Sequence, residues 1–222
     1  MFNIAIDGPG GAGKSSVSRA VSKELGFIYV DTGALYRAVG LYALRNGVDT
    51  KNETAVGEYL PKIKVELVFE NGEQMVLLNG EDVSADIRLP EASMAASDVS
   101  KIPSVRKFLF DLQREIAAEN NCLMDGRDIG TQVLPDATVK IYLTASAKER
   151  AKRRYLELKE KGMPGELDQI EADIIERDNR DMNREISPLR QAEDAVLVDA
   201  SFMGIEEVTA AVIAEFEKKK QA

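Results

Sequence analysis

The sequence contains no histidine and a single cysteine, Cys122, and each shortage removes a class of chemistry. Without histidine there is no His-based catalytic triad, and the commonest general base and commonest metal ligand are lost together. Acid–base work is left to carboxylates or lysine. One thiol excludes an internal disulfide framework and any multi-cysteine zinc site, which fits a reducing compartment. Cys122 lies in the apolar run Asn121-Cys122-Leu123-Met124 and reads as a buried core thiol rather than a nucleophile. No run approaches the roughly 18 apolar residues of a spanning helix, and residues 1–7 show neither a basic start nor a cleavage site. A cytoplasmic protein without a membrane partner is expected. A basic excess is also missing: the formal net charge is −9, which argues against nucleic acid as a partner.

What is present, 222 residues that are 44% hydrophobic and 30% charged, suits a globular protein built as a single domain with insertions. Residues 2–7 read as a short apolar strand and 8–13 as a glycine loop. Residues 14–25 have helical spacing at Val17, Ala20, Val21 and Leu25. A second strand at 27–30 leads into a helix over about 33–46. Strands alternating with helices predict an α/β fold with a parallel sheet covered on both faces. Residues 62–83 break the rhythm. Strand-like pieces at 65–69, 75–78 and near Val83 are joined at Asn71-Gly72 and Asn79-Gly80, strong signals for tight hairpins, so a small antiparallel meander is expected inside the parallel core. Helices are expected at about 90–100 and 103–119, with Pro103 at a helix start, and strands at 121–125 and 138–143. A charged helix at about 146–160, a loop at 161–165, a helix at about 167–182, a strand at 195–198 and a terminal helix from about 204 complete the reading.

Gly8-Pro9-Gly10-Gly11-Ala12-Gly13-Lys14-Ser15 has two glycines five apart followed by Lys and Ser, the phosphate-binding loop pattern. The glycines let backbone N–H groups turn inward around a phosphate chain, and the helix that follows adds partial positive charge. In that arrangement Lys14 reaches the β- and γ-phosphates and the Ser15 hydroxyl serves Mg²⁺; Ser16 completes the ATP-binding set. Switch GTPases, motor ATPases and small-molecule kinases all use such a loop. The guanine-reading Asn/Thr-Lys-x-Asp segment of a GTPase is absent, since the nearest match, Thr50-Lys51-Asn52-Glu53, ends in Glu.

Three further groups suggest a second anion. Asp31-Thr32-Gly33-Ala34-Leu35-Tyr36-Arg37 carries a strand end into a helix with Arg37 one turn in. Asp125-Gly126-Arg127-Asp128 lies just past an apolar strand, where ligands collect in parallel sheets. Arg177, Asp181 and Arg184 are spaced i, i+4, i+7 and share a helical face. A planar guanidinium donates two parallel hydrogen bonds to phosphate, which lysine cannot reproduce. Arg177 to Arg184 read equally well as an i, i+4 ion-pair ladder. Asp125 suits either orientation of Mg²⁺-bound water or a structural ion pair with a neighbouring arginine.

These segments resemble the bacterial cytidylate kinases, a family of P-loop nucleoside monophosphate kinases. The likeness runs nearly end to end, from Ile-Asp-Gly-Pro at the first strand through Ser97, Val105-Arg106 and Asp125-Gly126-Arg127-Asp128-Ile129-Gly130-Thr131 to Glu176-Arg177-Asp178 and Asn183-Arg184. It implies a parallel-sheet kinase core, a monophosphate-binding insert over about 33–100 and a helical lid over about 157–168. It also implies transfer of the γ-phosphoryl of ATP to CMP or dCMP with Mg²⁺, in a monomer. Arg37 and Arg127 are implied to hold the acceptor's phosphate, with Thr32 in the same set. Ser97, Arg106 and Asp128 are implied to read cytosine, and Asp181 with Arg177 to meet the sugar. Arg184 and the helix bearing Arg150, Arg153 and Arg154 are implied to face the transferring group, which makes Lys14, Arg127, Arg153, Arg177 and Arg184 the catalytic set. A UMP-preferring kinase and a nucleotide-dependent switch module are the alternatives.

Overall fold

A computed structural model describes residues 1–70, 73–160, 162–163 and 165–220. The expected Asn71-Gly72 turn lies outside the described residues, as do Lys161 and Pro164 of the expected lid loop. The chain divides into two compact units, one of Met1 and Ile28–Cys122, the other of Phe2–Phe27 and the chain from Leu123 onward.

In the second unit, strands β1 (Asn3–Asp7), β6 (Cys122–Gly126), β7 (Val139–Thr144) and β8 (Val196–Asp199) lie in the order β6-β1-β7-β8. The β1/β7 and β7/β8 pairs are parallel, with Asp7 opposite Tyr142 and Thr144 opposite Asp199. Strands β1 and β6 read as apolar runs, as buried parallel strands do; Ile4, Ile6, Leu123, Met124, Ile141 and Leu143 are all buried, whereas β8 is mostly exposed. Helices α1 (Lys14–Leu25) and α8 (Ile205–Lys220) pack together, and Phe216 of α8 meets Phe2 and Phe27 edge to face. The long helices α6 (Ala147–Glu160) and α7 (Leu167–Asn183) pair with each other.

In the first unit, β2 (Ile28–Asp31) runs into α2 (Thr32–Arg45), whose start is fixed by Asp31 accepting from the Ala34 amide at 3.0 Å. Helix α2 packs on α4 (Pro90–Val99) so closely that a Cβ on Gly40 would stand 2.8 Å from that of Ala95. Helix α5 (Pro103–Glu119) begins with the expected proline. The meander is present as β3 (Val65–Glu70), β4 (Glu73–Leu78) and β5 (Glu81–Asp82), all antiparallel. Its second turn has Asn79 at φ 52° and Gly80 at φ 84°, the left-handed pair that a two-residue hairpin loop requires. The core gathers Leu35, Ala38 and Val39 of α2 with Val65, Val76, Leu78, Val99, Val105 and Leu109.

Among the described residues, short 3-10 turns at Leu60–Lys62 and Asp86–Arg88 were not expected, nor were two further elements. Helix α3 (Glu53–Tyr59) is capped by Asn52, which accepts from the Ala55 amide. A π-type turn covers Ile129–Val133 directly after Asp128.

Candidate active site

The phosphate loop forms the crest between β1 and α1. Its first glycine must approach β7: a Cβ on Gly8 would stand 1.9 Å from the Leu143 carbonyl oxygen. Gly11 and Gly13 adopt φ 77° and 93°, left-handed conformations that cost other residues about 1 kcal/mol or more. Helix α1 starts with no side-chain cap and no acidic residue in its first turn, whereas α6 and α7 each carry one there and α8 carries two. Its leading amides are therefore left to an anion.

Lys14 folds back over this loop, its Nζ donating to the carbonyl oxygens of Gly8 and Pro9 at 2.8 Å each. Burial first, and then repulsion from Arg127, lowers its pKa from 10.5 to about 7, against the pull of Asp125 and Asp7. Ser15 donates through Oγ to Asp125 Oδ2 at 2.9 Å, bringing a hydroxyl and a buried carboxylate together where β6 ends. Among the described residues no group of three or more histidine, cysteine or carboxylate side chains could hold a metal ion. A Ser/Asp pair of hard oxygens nevertheless fits Mg²⁺, which takes one or two carboxylates and otherwise water and substrate phosphate.

Arginines stand over the crest. A Cβ on Gly10 would lie 3.4 Å from Arg127 Nη2 and 3.7 Å from the Arg177 guanidinium carbon. Arg127 donates through Nε to Asp181 Oδ2 at 2.9 Å. Burial disfavours the charge on Asp181, yet Arg127, followed by Arg177 and Arg184, holds its carboxyl below the usual range. Burial and the neighbouring Arg127 lower the Arg177 pKa in turn. Arg184 faces Asp128 at 3.5 Å, and Asp128 is itself buried. Of the second unit's sequence-predicted residues, Lys14, Arg127, Asp128, Arg177, Asp181 and Arg184 thus form one linked constellation.

The three arginines of α6 have different partners. Arg150 is buried and donates to the carbonyl oxygens of Ala145 and Gly10 and to both oxygens of Asp178. Arg154 pairs with Glu157 on the helix surface at 3.2 Å. Arg153 donates to the Ala200 carbonyl at 2.6 Å and borders a cavity of about 490 Å³. Gly11, Ala12, Gly13, Ser15 and Ser16 line one side of that cavity, and Ala200, Met203, Gly204, Ile205 and Val208 line the other. It is a half-open slot of mixed polar and apolar lining, Lys14 and Glu157 included, continuous with the phosphate loop. Its far wall, the 200–208 segment, is the part of the site that sequence reasoning missed, because its residues carry no chemistry of their own.

In the first unit, Thr32 is buried at the start of α2, and Arg37 pairs with Asp31 at 2.8 Å. The Gly33 hydrogen makes room for that pair, since a Cβ there would stand 3.0 Å from Arg37 Nη1. Arg106 is buried against the rings of Tyr36 and Phe110, at 5.8 and 5.0 Å, and donates to the Ser100 carbonyl. Ser100 Oγ donates in turn to the carbonyl of Ser97, whose side chain is exposed. Gln74 of the meander, unremarked in the sequence, accepts from the Asp31 amide at 2.9 Å and ties β4 to the end of β2.

No helix among the described residues is long and apolar enough to cross a membrane. A family model described as cytidylate kinase matches residues 4–218. The chain is 51% identical over 217 residues to a protein named cytidylate kinase from Caldicellulosiruptor bescii, covering 98% of this chain and 96% of that one. A cytidylate kinase of Lactobacillus johnsonii is 48% identical, over 100% of this chain and 96% of its own. Among solved structures, an uncharacterised protein from Eubacterium ventriosum matches with a TM-score of 0.54 at 11% identity, over 98% of this chain and 99% of that one, a likeness of fold alone.

Proposed function

The chain belongs to the cytidylate kinase family, and on that premise we propose that it transfers the γ-phosphoryl of ATP to CMP, giving CDP and ADP, with dCMP accepted as well. The observation that carries the reading is the constellation at the loop crest: an uncapped helix N-terminus and a buried lysine for one phosphate chain, beside three arginines for another anion. We assign the donor's base to the slot beside Arg153, whose guanidinium has the flat face that stacks on a purine. Arg153 then serves donor binding, while Lys14, Arg127, Arg177 and Arg184 attend the transferring group.

Transfer runs in line from donor to acceptor without a covalent enzyme intermediate. The attacking oxygen belongs to a phosphate already ionised at neutral pH, so a chain without histidine is adequate. The protein's work is to align the two phosphates and neutralise charge. Ser15 and Asp125 would hold Mg²⁺, which when bound neutralises charge on the β- and γ-phosphoryl oxygens. Arg127 exchanges Asp181 for the acceptor's phosphate, and Asp181 is released toward the sugar hydroxyls. Arg37, together with Thr32, is assigned to the same phosphate, and Ser97, Arg106 and Asp128 to the base. The catalytic unit is a single domain in which residues 33–100 serve the monophosphate and residues 157–168 act as a lid that excludes water. It works as a cytoplasmic monomer.

Cytosine presents an exocyclic amine where uracil presents a carbonyl, so a carboxylate at position 128 favours CMP. Asp128→Ala is expected to lower the CMP-over-UMP preference in kcat/KM by about tenfold or more. An unchanged preference would remove Asp128 from the base-reading set and favour a UMP-directed kinase.

A further inference from the structure

Asp7 is the last residue of β1 and is buried. Its Oδ1 accepts from the Ile129 amide at 2.8 Å and its Oδ2 from the Gly130 amide at 2.7 Å. We propose that Asp7 is a positioning residue for acceptor recognition: by holding these two amides it fixes Arg127 and Asp128, the residues immediately before them, in their working places. The proposal rests on the assignment of Asp128 to the acceptor's base.

The turn's own hydrogen bonds explain why an outside acceptor is needed. The Gln132 and Val133 amides donate to the Asp128 carbonyl, and the Leu134 amide donates to the Ile129 carbonyl. The leading amides of Ile129 and Gly130 have no earlier turn to donate to, and Asp128 supplies no side-chain cap. Asp7 takes both. The two amides are aimed at separate oxygens of Asp7, a pattern that suits a carboxylate, because asparagine in the same place would turn an NH₂ toward one of them. Burying that carboxylate is costly and raises its pKa from 3.8 to about 6. A group kept at such a cost is explained by what its two bonds hold.

The space around the contact is tight. A Cβ on Gly130 would stand 3.3 Å from Asp7 Oδ2 and 3.2 Å from the Lys140 stem, so a side chain at position 130 would make one of these neighbours give by a few tenths of an ångström. The donor loop, by contrast, has its own supports. Gly8 lies against the Leu143 carbonyl, the backbone of Asp7 stays in register with Tyr142, and Arg150 holds the Gly10 carbonyl. Loss of the Asp7 carboxylate therefore releases the 127–130 segment while the loop that binds ATP keeps its frame. A residue covalently joined to the donor loop should govern which acceptor base is chosen.

The test compares kcat/KM for CMP and UMP at saturating ATP, so that any effect of Asp7 on Lys14 and donor affinity cancels. Asp7→Asn is expected to lower the CMP-over-UMP preference about fivefold or more, mainly through a higher KM for CMP, with the KM for ATP within about twofold. Gly130→Ala, which keeps the carboxylate and pushes the turn off it, is expected to lower the preference in the same direction by about two- to threefold, and it carries the test if Asp7→Asn does not fold. Val212→Ala, a buried change in α8, provides a destabilised control whose preference is expected to stay within about twofold of the parent. If Asp128→Ala flattens the preference while Asp7→Asn and Gly130→Ala keep it, Asp7 is merely structural and the inference is overturned. If Asp128→Ala itself keeps the preference, the base-reading assignment fails and the inference goes with it.

Discussion

Lys14 is buried and sits beside Arg127 and Arg177, which is why its amine is so weakly basic in the free protein even though it donates to two carbonyl oxygens of its own loop. A bound polyphosphate reverses the balance by favouring the charged form. Above pH 7 the free amine is therefore largely neutral and must take up a proton on binding. Below pH 7 it is already charged. ATP affinity is expected to fall by up to about tenfold per pH unit above 7, and calorimetry at pH 8 in buffers of different ionisation heat should register uptake of about one proton, lost in Lys14→Met. No uptake at pH 8 would contradict the lowered pKa. At this scale the sequence was informative where contacts are local. Glycine spacing marked the loop, and i, i+4 spacing put Arg177 and Asp181 on one face of α7, whereas Arg184, expected on that face too, follows the helix end in extended backbone. It did not disclose that Arg127 pairs with Asp181 across 54 residues, or that Asp7 caps a turn 122 residues away.

Among the elements, α1 and α2 show opposite solutions at their first turns. Asp31 caps α2 locally, while α1 starts at a left-handed Gly13 and leaves its amides open. Most element boundaries were legible because hydrophobic period and turn chemistry agree, as at Asn79-Gly80 and Pro103. Helix α3 escaped because seven residues containing Gly57 carry too little apolar periodicity, and the 129–133 turn because its stabilising partner is remote. The packing of α2 on α4 was equally hidden, since nothing local says that Gly40 must lack a side chain. Gly40→Ala is expected to destabilise the protein by about 1–3 kcal/mol, read as a lower denaturant midpoint, because the new Cβ would meet Ala95 at 2.8 Å. An unchanged midpoint would mean that the two helices are not held at this spacing.

At the level of the whole molecule, a net charge of −9 coexists with a local cluster of cations at the loop crest, several of them held by carboxylates. That contrast suits a protein that collects two small polyanions and leaves long ones alone. Each anion also relieves repulsion among Lys14, Arg127 and Arg177, so donor and acceptor should each improve the site for the other. Membership of the cytidylate kinase family says which acceptor to expect, and the constellation says how a chain without histidine manages the reaction. The most direct measurement is ADP release from ATP and Mg²⁺ by the purified chain with CMP, dCMP, UMP, AMP or GMP. Rapid release is predicted only with an acceptor present, fastest for CMP and dCMP. Slow release at one rate whatever nucleotide is added would contradict the account.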